Sequence, residues 1–163
     1  MARPEPRWLD PDELQAWIAL SRLAVSLPGA LDTQLQRDSE LSFFEYMVLA
    51  MLTEQPHYQI RMSELAALAN GSLSRLSHVA RRLESRGLIR REPDPTDGRF
   101  TIATITQSGL ATVKAAAPGH VDEVRALVID ALTSAQLRQL RTIADRVLER
   151  VDPDSKTAPR VPE

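Results

Sequence analysis

The 163-residue chain contains no cysteine. Thiol catalysis, thiol redox sensing, iron–sulfur ligation and cysteine zinc sites are thereby excluded, and the composition fits a reducing compartment. No contiguous apolar run approaches the roughly 20 residues of a membrane span. Met1-Ala-Arg-Pro-Glu-Pro6 leads into no apolar stretch of the kind a secretory signal carries. A soluble, cytoplasmic protein is the expectation. The sequence also lacks a glycine-rich phosphate loop, a nucleophile elbow, internal repeats and low-complexity blocks. Carboxylate pairs such as Asp122-Glu123 fall on a helix face that reads as solvated, so no catalytic residue, no enzyme activity and no cofactor are expected. His57, His78 and His120 are far apart and show no His-x-x-His or Glu-x-x-His spacing, so no metal site is expected either.

A large excess of one charge is missing as well. The net charge is −2, which argues against a general polyanion binder. The charge is unevenly placed, however: −5 over residues 1–55, +3 over 56–106 and 0 over 107–163. A polyanion would have to dock on the basic middle. The length suits one domain, or one core with appended helices, and buries roughly 70% of the unfolded surface without disulfides or metal.

What is present is mostly helical punctuation. Asp10-Pro-Asp-Glu13 has capping-box spacing with proline at the first helical position. Leu14, Trp17, Ile18, Val25, Leu31 and Leu35 then recur at helical spacing. Pro28-Gly29 inside that run should kink or split the helix. A segment from 11 to 37 would be about 40 Å long, more than a small core needs. Ser42-Phe-Phe-Glu45 opens a second helix, apolar nearly all round and stopped by Pro56. Residues 59–62 are ambiguous with a strand. Ser63 reads as the cap of a short helix to Ala69, ending at Asn70-Gly71. Ser72 caps the next, which runs to Arg86 and is closed by Gly87. Leu88-Ile-Arg-Arg91 and Arg99-Phe-Thr-Ile-Ala-Thr-Ile105 read as two strands of a hairpin, with Glu92-Pro-Asp-Pro-Thr-Asp-Gly98 as its long exposed tip. Thr106 begins a helical stretch interrupted by Pro118-Gly119. Thr133-Ser-Ala-Gln136 caps a last helix ending near Val151. Residues 1–9 read as a disordered arm and 152–163 as a disordered tail.

This order is a winged helix-turn-helix, residues 56–106, between N-terminal helices over 10–55 and C-terminal helices over 107–151. In its second helix Leu73, Leu76, Val79, Ala80 and Leu83 share one face. Ser74 and His78 lie opposite, flanked by Arg75 and Arg82 on one side and Ser77 and Arg81 on the other. Two arginines with small hydroxyl side chains suit guanine edges and phosphates in a major groove. Ser72 stands where free amides and the helix dipole favour a phosphate. Arg99 at the hairpin tip, with Arg90 and Arg91 on the first strand, suits a wing on the backbone or in the minor groove. Arginines opposite an apolar face are more often a solvated surface; the capped turn before and the basic hairpin after point instead to DNA. Arg81 or Arg82 has an alternative partner in Glu84, Asp94 or Asp97. The terminal helices carry more apolar surface than the winged core can cover, from Leu127, Val128, Ile129 and Leu132 to Leu137, Leu140, Ile143 and Val147. That favours a shared layer between two copies, most simply a C2 dimer.

The chain resembles the MarR-type transcriptional regulators. The resemblance rests on Leu41-Ser-Phe-Phe-Glu-Tyr46, Met62-Ser-Glu-Leu-Ala66 and the run from Ser74 to Arg91. Asp94-Pro-Thr-Asp-Gly-Arg99 and Ile105-Thr-Gln-Ser-Gly109 continue it, so that it spans about Trp8 to Val151. It implies a homodimer that binds a palindromic operator, most often as a repressor. Residues 72–82 would enter the major groove and Arg99 the minor groove, with Asp97 orienting nearby arginines. It also implies that a small aromatic or anionic effector could release the DNA, binding between the dimer helices and the winged domain. Trp17, His57 and Tyr58 are candidates to line such a pocket; Trp17 in a core or dimer seam and Tyr58 in packing are the alternatives. Two other readings stay open: a winged-helix dimer that binds an acidic protein partner, and a small-molecule-binding dimer without DNA recognition.

Overall fold

The structure, a computed structural model, describes residues 5–152. The expected tail therefore lies outside the described residues except for Asp152, as do the first four residues of the expected arm. Helix α1, Pro11–Ser39, begins on the Asp10/Glu13 capping box. Helix α2, Phe43–Thr53, begins on the reciprocal Ser42/Glu45 box. A 3-10 turn at Pro56–Tyr58 leads into strand β1, Gln59–Arg61, and then helix α3, Met62–Leu68. Helix α4, Leu73–Ser85, follows, then strands β2, Ile89–Pro93, and β3, Thr101–Ile105. Helix α5, Gln107–Val124, passes through a π-helical turn at Arg125–Ile129 before helix α6, Ser134–Val151. The fold is mainly helical with a small sheet, the winged helix-turn-helix that the motif order implies.

The ambiguous residues after Pro56 do form a strand, and the sheet has three strands in the order β1-β3-β2, antiparallel throughout. That strand alters the start of α3. Arg61 pairs with Ile102 and serves as the cap residue without a side-chain cap, so Ser63 lies inside the first turn instead of capping it. The other expected caps are present. Ser72 Oγ accepts the Arg75 N–H at 3.2 Å, and Thr133 and Gln136 form a third capping box. Gly87, at φ +71°, closes α4 in a Schellman motif, with Leu88 N–H donating to Leu83 O and Gly87 N–H to Glu84 O.

The two prolines do not divide their helices. Pro28 lies within an unbroken α1 and Pro118 within an unbroken α5. Each removes one amide from the helical ladder, but Ala24 and Lys114, whose carbonyls lose that donor, are exposed residues whose carbonyls can turn to water. Gly119, next to Pro118, faces α1: a Cβ there would meet the end of the Gln34 side chain at 3.4 Å, about an ordinary contact. The true corner comes later, at the π turn, where Asp130 N–H donates to Arg125 O and the Arg125 guanidinium to Asp130 Oδ1 at 2.6 Å.

Leu35, Leu41, Val48, Leu49, Leu52, Leu65, Leu76, Leu83, Ile89 and Ala103 form the centre of one core. Helix α2 packs on α1, α3, α4, α5 and strands β1 and β3, so it is the element that joins the long helices to the winged domain. Helix α4 buries Leu76, Ala80 and Leu83, but Leu73, expected on the same face, is 51% exposed because the first turn overhangs the core. The long helices are covered far less. In α1 only Leu31, Gln34 and Leu35 are buried, and in α6 nothing is. Judged by length and composition, α1 could cross a membrane, with mean hydropathy 1.2 over 18 residues, which a search for contiguous apolar runs does not register. A helix shared between two subunits carries the same apolar content.

Candidate nucleic-acid interface

The exposed side of α4 presents Ser72, Ser74, Arg75, His78, Arg81 and Arg82, with Ser77 half-buried at its margin. Their availability depends on what else in the fold claims them. Residues 56–106 contain eight arginines, and the structure divides them sharply. Arg61 is bound by Asp94 at 2.7 Å. Arg91 donates to Glu84 through Nε, a terminal nitrogen and its backbone amide, tying β2 to α4. Arg86 donates to the carbonyl that ends α1, Glu40 O, at 3.0 Å. Arg90 faces Glu92 at 3.5 Å. With Asp97 bound to Arg99 at 2.6 Å, the three acids that sequence spacing offers to Arg81 and Arg82 are all taken by other arginines.

Arg82 finds a partner that spacing does not suggest. Its guanidinium lies 3.1 Å from Oε1 of Glu45, whose side chain is fully buried. The other carboxylate oxygen, Oε2, accepts the Ser42 N–H, so Glu45 both caps α2 and holds α4. The guanidinium lies off the hydrogen-bonding direction of Oε1, which leaves that oxygen without a formal hydrogen bond. At this distance the contact is an ion pair. Arg75 and Arg81, by contrast, have no carboxylate within 4 Å among the described residues. Arg75 lies over the ring of Phe44, 4.3 Å from its centroid.

The wing is ordered by two carboxylates. Asp94, buried, accepts both the amide and the hydroxyl of Thr96 and the Arg61 guanidinium. The Thr96 bonds first, and Arg61 after them, pull its carboxyl down to about 2. Asp97 grips Arg99 in a fork, with Nε at 2.9 Å and a terminal nitrogen at 2.6 Å, and also accepts the Arg99 amide. These bonds hold Asp97 below the usual carboxylate range and raise Arg99 further. The Arg99 side chain remains 84% exposed, so it is held at its base with much of its surface in solvent. Phe100 lies beside it, with Arg61 4.5 Å and Arg99 6.0 Å from its ring centroid.

The pocket candidates lie on exposed surface. Trp17 is 58% exposed on α1, while His57 and Tyr58, both at positive φ, form the exposed 3-10 turn. An open groove of about 530 Å³ on α6, lined by Ala135, Arg138, Gln139, Thr142 and Ile143, includes none of them. Polar groups without partners gather elsewhere, where α1, α2 and α5 meet. Gln34 is buried with Oε1 unpaired, and His120 Nδ1 is unpaired beside the rings of Tyr46, at 4.4 Å, and Phe43, at 6.0 Å. Neither residue carries a sequence motif; their signal is spatial.

Burial pushes the His120 imidazole below its ordinary 6.5. The unfolded chain then binds the extra proton first as pH falls. This contribution to stability is complete above about 6.5 and is lost as pH falls through the folded value. Urea midpoints at pH 7.5 and 5 should therefore separate more for the wild type than for His120→Phe; equal separations would remove the assignment.

Comparison with known proteins places this geometry. The sequence pattern of the MarR family matches residues 41–101, from the start of α2 to the start of β3. The HTH-type transcriptional regulator MhqR of Bacillus subtilis is 30% identical over 146 residues, 88% of this chain and 93% of that protein. The HTH-type transcriptional repressor Rv2887 of Mycobacterium tuberculosis is 32% identical over 114 residues, 70% of this chain and 77% of its own. Among solved structures, Sco3205 of Streptomyces coelicolor, a MarR family transcriptional regulator in complex with DNA, is 41% identical with a TM-score of 0.89, covering 93% of this chain and 95% of that one. Sequence, fold and the free basic face of α4 agree, and the chain belongs to the MarR family of DNA-binding transcriptional regulators.

Proposed function

We propose that the chain is a cytoplasmic repressor that binds a palindromic operator as a homodimer. In this reading Ser72, Ser74, Arg75, Ser77, His78 and Arg81 of α4 meet the major groove. Arg99 meets the minor groove or the backbone beside it, with Asp97 as its orienting group. Arg82 contributes mainly by fixing the angle of α4 through Glu45, with its outer edge left for a phosphate. Residues 10–55 and 107–151 supply the dimer layer, and 56–106 the reading head. The observation that carries this is the sorting of arginines: Arg61, Arg86 and Arg91 are held by acceptors elsewhere in the fold, while Arg75, Arg81 and the tip of Arg99 face outward. A fold built to meet an acidic protein partner has no need to hold Arg99 in a fork at a hairpin tip.

Release by a small aromatic or anionic effector belongs to the same proposal. The junction of Gln34, His120 and Tyr46 suits it better than Trp17, His57 and Tyr58, because it offers unsatisfied polar atoms beside aromatic rings. An effector there would act only through its differential affinity for the two spacings of the recognition helices.

The test is DNA affinity across a salt series, using a duplex that the protein selects from a random library and a scrambled control. Arg75→Ala should lower the preference for the selected duplex by about tenfold to a hundredfold, the worth of a bidentate base contact. Arg99→Ala should weaken binding and reduce the log–log salt slope by about 1, the mark of a lost phosphate contact. Unchanged binding in both variants, with folding intact, would move the reading surface away from Arg75 and Arg99, whereas a wild type that selects no duplex would favour the small-molecule-binding reading.

A further inference from the structure

Arg75 is the arginine of α4 best placed at the start of the recognition helix, yet no carboxylate orients it. A guanidinium on four rotatable bonds loses much freedom when it forms a bidentate contact, and base discrimination demands that contact while a phosphate does not. The fold supplies an orienting surface from a different helix. Phe44, in the first turn of α2, presents its ring 4.3 Å from the Arg75 guanidinium carbon. The ring also lies against the turn that precedes α4. Gly71, in the turn between α3 and α4, lies so close that a Cβ there would stand 3.2 Å from Phe44 Cζ. The neighbouring residue, Glu45, holds Arg82 by the ion pair described above. Two consecutive residues of α2 thus hold the two arginines at opposite ends of the reading face.

We infer that Phe44 is a positioning residue for sequence discrimination, setting the Arg75 guanidinium in the plane it uses to read a base through cation–π contact with the ring. This rests on the DNA-reading role proposed for α4. An aromatic face is suited to the task because it orients a cation without neutralising it, whereas a carboxylate would compete with the DNA for the same donors. The residue therefore affects which duplex is preferred more than how strongly any duplex is held.

The experiment compares wild type, Phe44→Leu, Phe44→Tyr and Arg75→Ala, with the double variant Phe44→Leu/Arg75→Ala, on the selected and scrambled duplexes. Leucine keeps apolar contact with the α3–α4 turn and removes the ring, so thermal unfolding should change little. Phe44→Leu should lose about fivefold to tenfold of the affinity for the selected duplex, the range of a partly desolvated cation–π contact. Affinity for the scrambled duplex and the salt slope should stay as in the wild type. Phe44→Tyr should restore discrimination, and in the Arg75→Ala background Phe44→Leu should have no further effect. A leucine variant that discriminates as well as wild type would overturn the inference. So would a loss of equal size with and without Arg75, which is what a purely structural role produces. If wild type itself treats both duplexes alike, the DNA-reading proposal fails, and that result differs from either of these.

Discussion

Replacing Gly109 by alanine should cost about 3 kcal/mol or more of folding stability, more than half of the total if the starting stability is at the low end of the usual range of roughly 5–15 kcal/mol. The added Cβ would lie 2.1 Å from Leu88 O and 2.6 Å from Ile105 Cγ1. Neither neighbour is free to withdraw. Leu88 O already accepts the Thr106 N–H at 3.0 Å, and the single Thr106 hydroxyl proton is shared between Gly87 O at 2.7 Å and Leu88 O at 3.1 Å. Thr106 Oγ1 in turn accepts the Gly109 N–H at 3.0 Å, capping α5. The first turn of α5 is thus pinned to the chain that enters β2, and Ile105 is a buried core residue. A methyl group must push the helix off the wing or break the cap. Gly29→Ala is the control, since nothing of the chain lies within 4 Å of a Cβ there and helix propensity favours alanine by up to about 1 kcal/mol. Urea unfolding of both variants measures the contrast. Equal midpoints would show that the α5–wing junction is loose.

Gly109 also illustrates what a sequence can and cannot announce. It stands inside a readable motif, Ile105-Thr-Gln-Ser-Gly109, but the reason for glycine is a contact with Leu88, 21 positions earlier, that no spacing reveals. Helix starts were legible because capping is local chemistry. Asp10 with Glu13, Ser42 with Glu45 and Thr133 with Gln136 each complete their bonds within one turn. Gly87 was legible for the same reason. Pro28 and Pro118 do not split their helices, because the damage a proline does depends on whether the carbonyl it orphans can reach water, which is a matter of tertiary exposure. Ser63 misled because β1, only ambiguously legible at three residues, fixes where α3 begins. The exposed face of α4 could be drawn from periodicity alone. Its second layer could not: Arg61 reaches Asp94 across 33 residues, Arg82 reaches a buried Glu45, and Arg75 rests on Phe44.

Ile143→Arg should convert the protein to monomers at micromolar concentration and lower operator affinity by at least about a hundredfold, while the winged domain stays folded. Helix α6 has no buried residue, yet Leu140, Ile143, Val147 and Val151 recur along it at helical spacing, and Ile143 is 60% exposed. Helix α1 mirrors this with Leu14, Trp17, Ile18 and Val25 exposed over its first half. Apolar area arranged in stripes on two long helices is stable in water only when covered, and a second copy of the same chain offers matching stripes. The groove on α6 that includes Ile143 and Thr142 is then one lip of the seam. A cationic side chain at its centre would be buried without a partner, which costs several kcal/mol for each subunit. Operator affinity falls with it because two linked reading heads bind the second half-site at high effective concentration, an advantage commonly worth 10²–10⁴ that a monomer forfeits. Glu149→Arg, on the opposite side of α6, changes the charge by more than Ile143→Arg does and should still leave assembly and DNA binding near wild type. Sedimentation gives the mass, and the two tryptophans, Trp8 and Trp17, give an independent signal, since emission should shift to the red if Trp17 is released from the seam. A monomeric Ile143→Arg that still bound the selected duplex with wild-type affinity would show that one winged domain reads DNA alone, and the apolar stripes would then need another occupant.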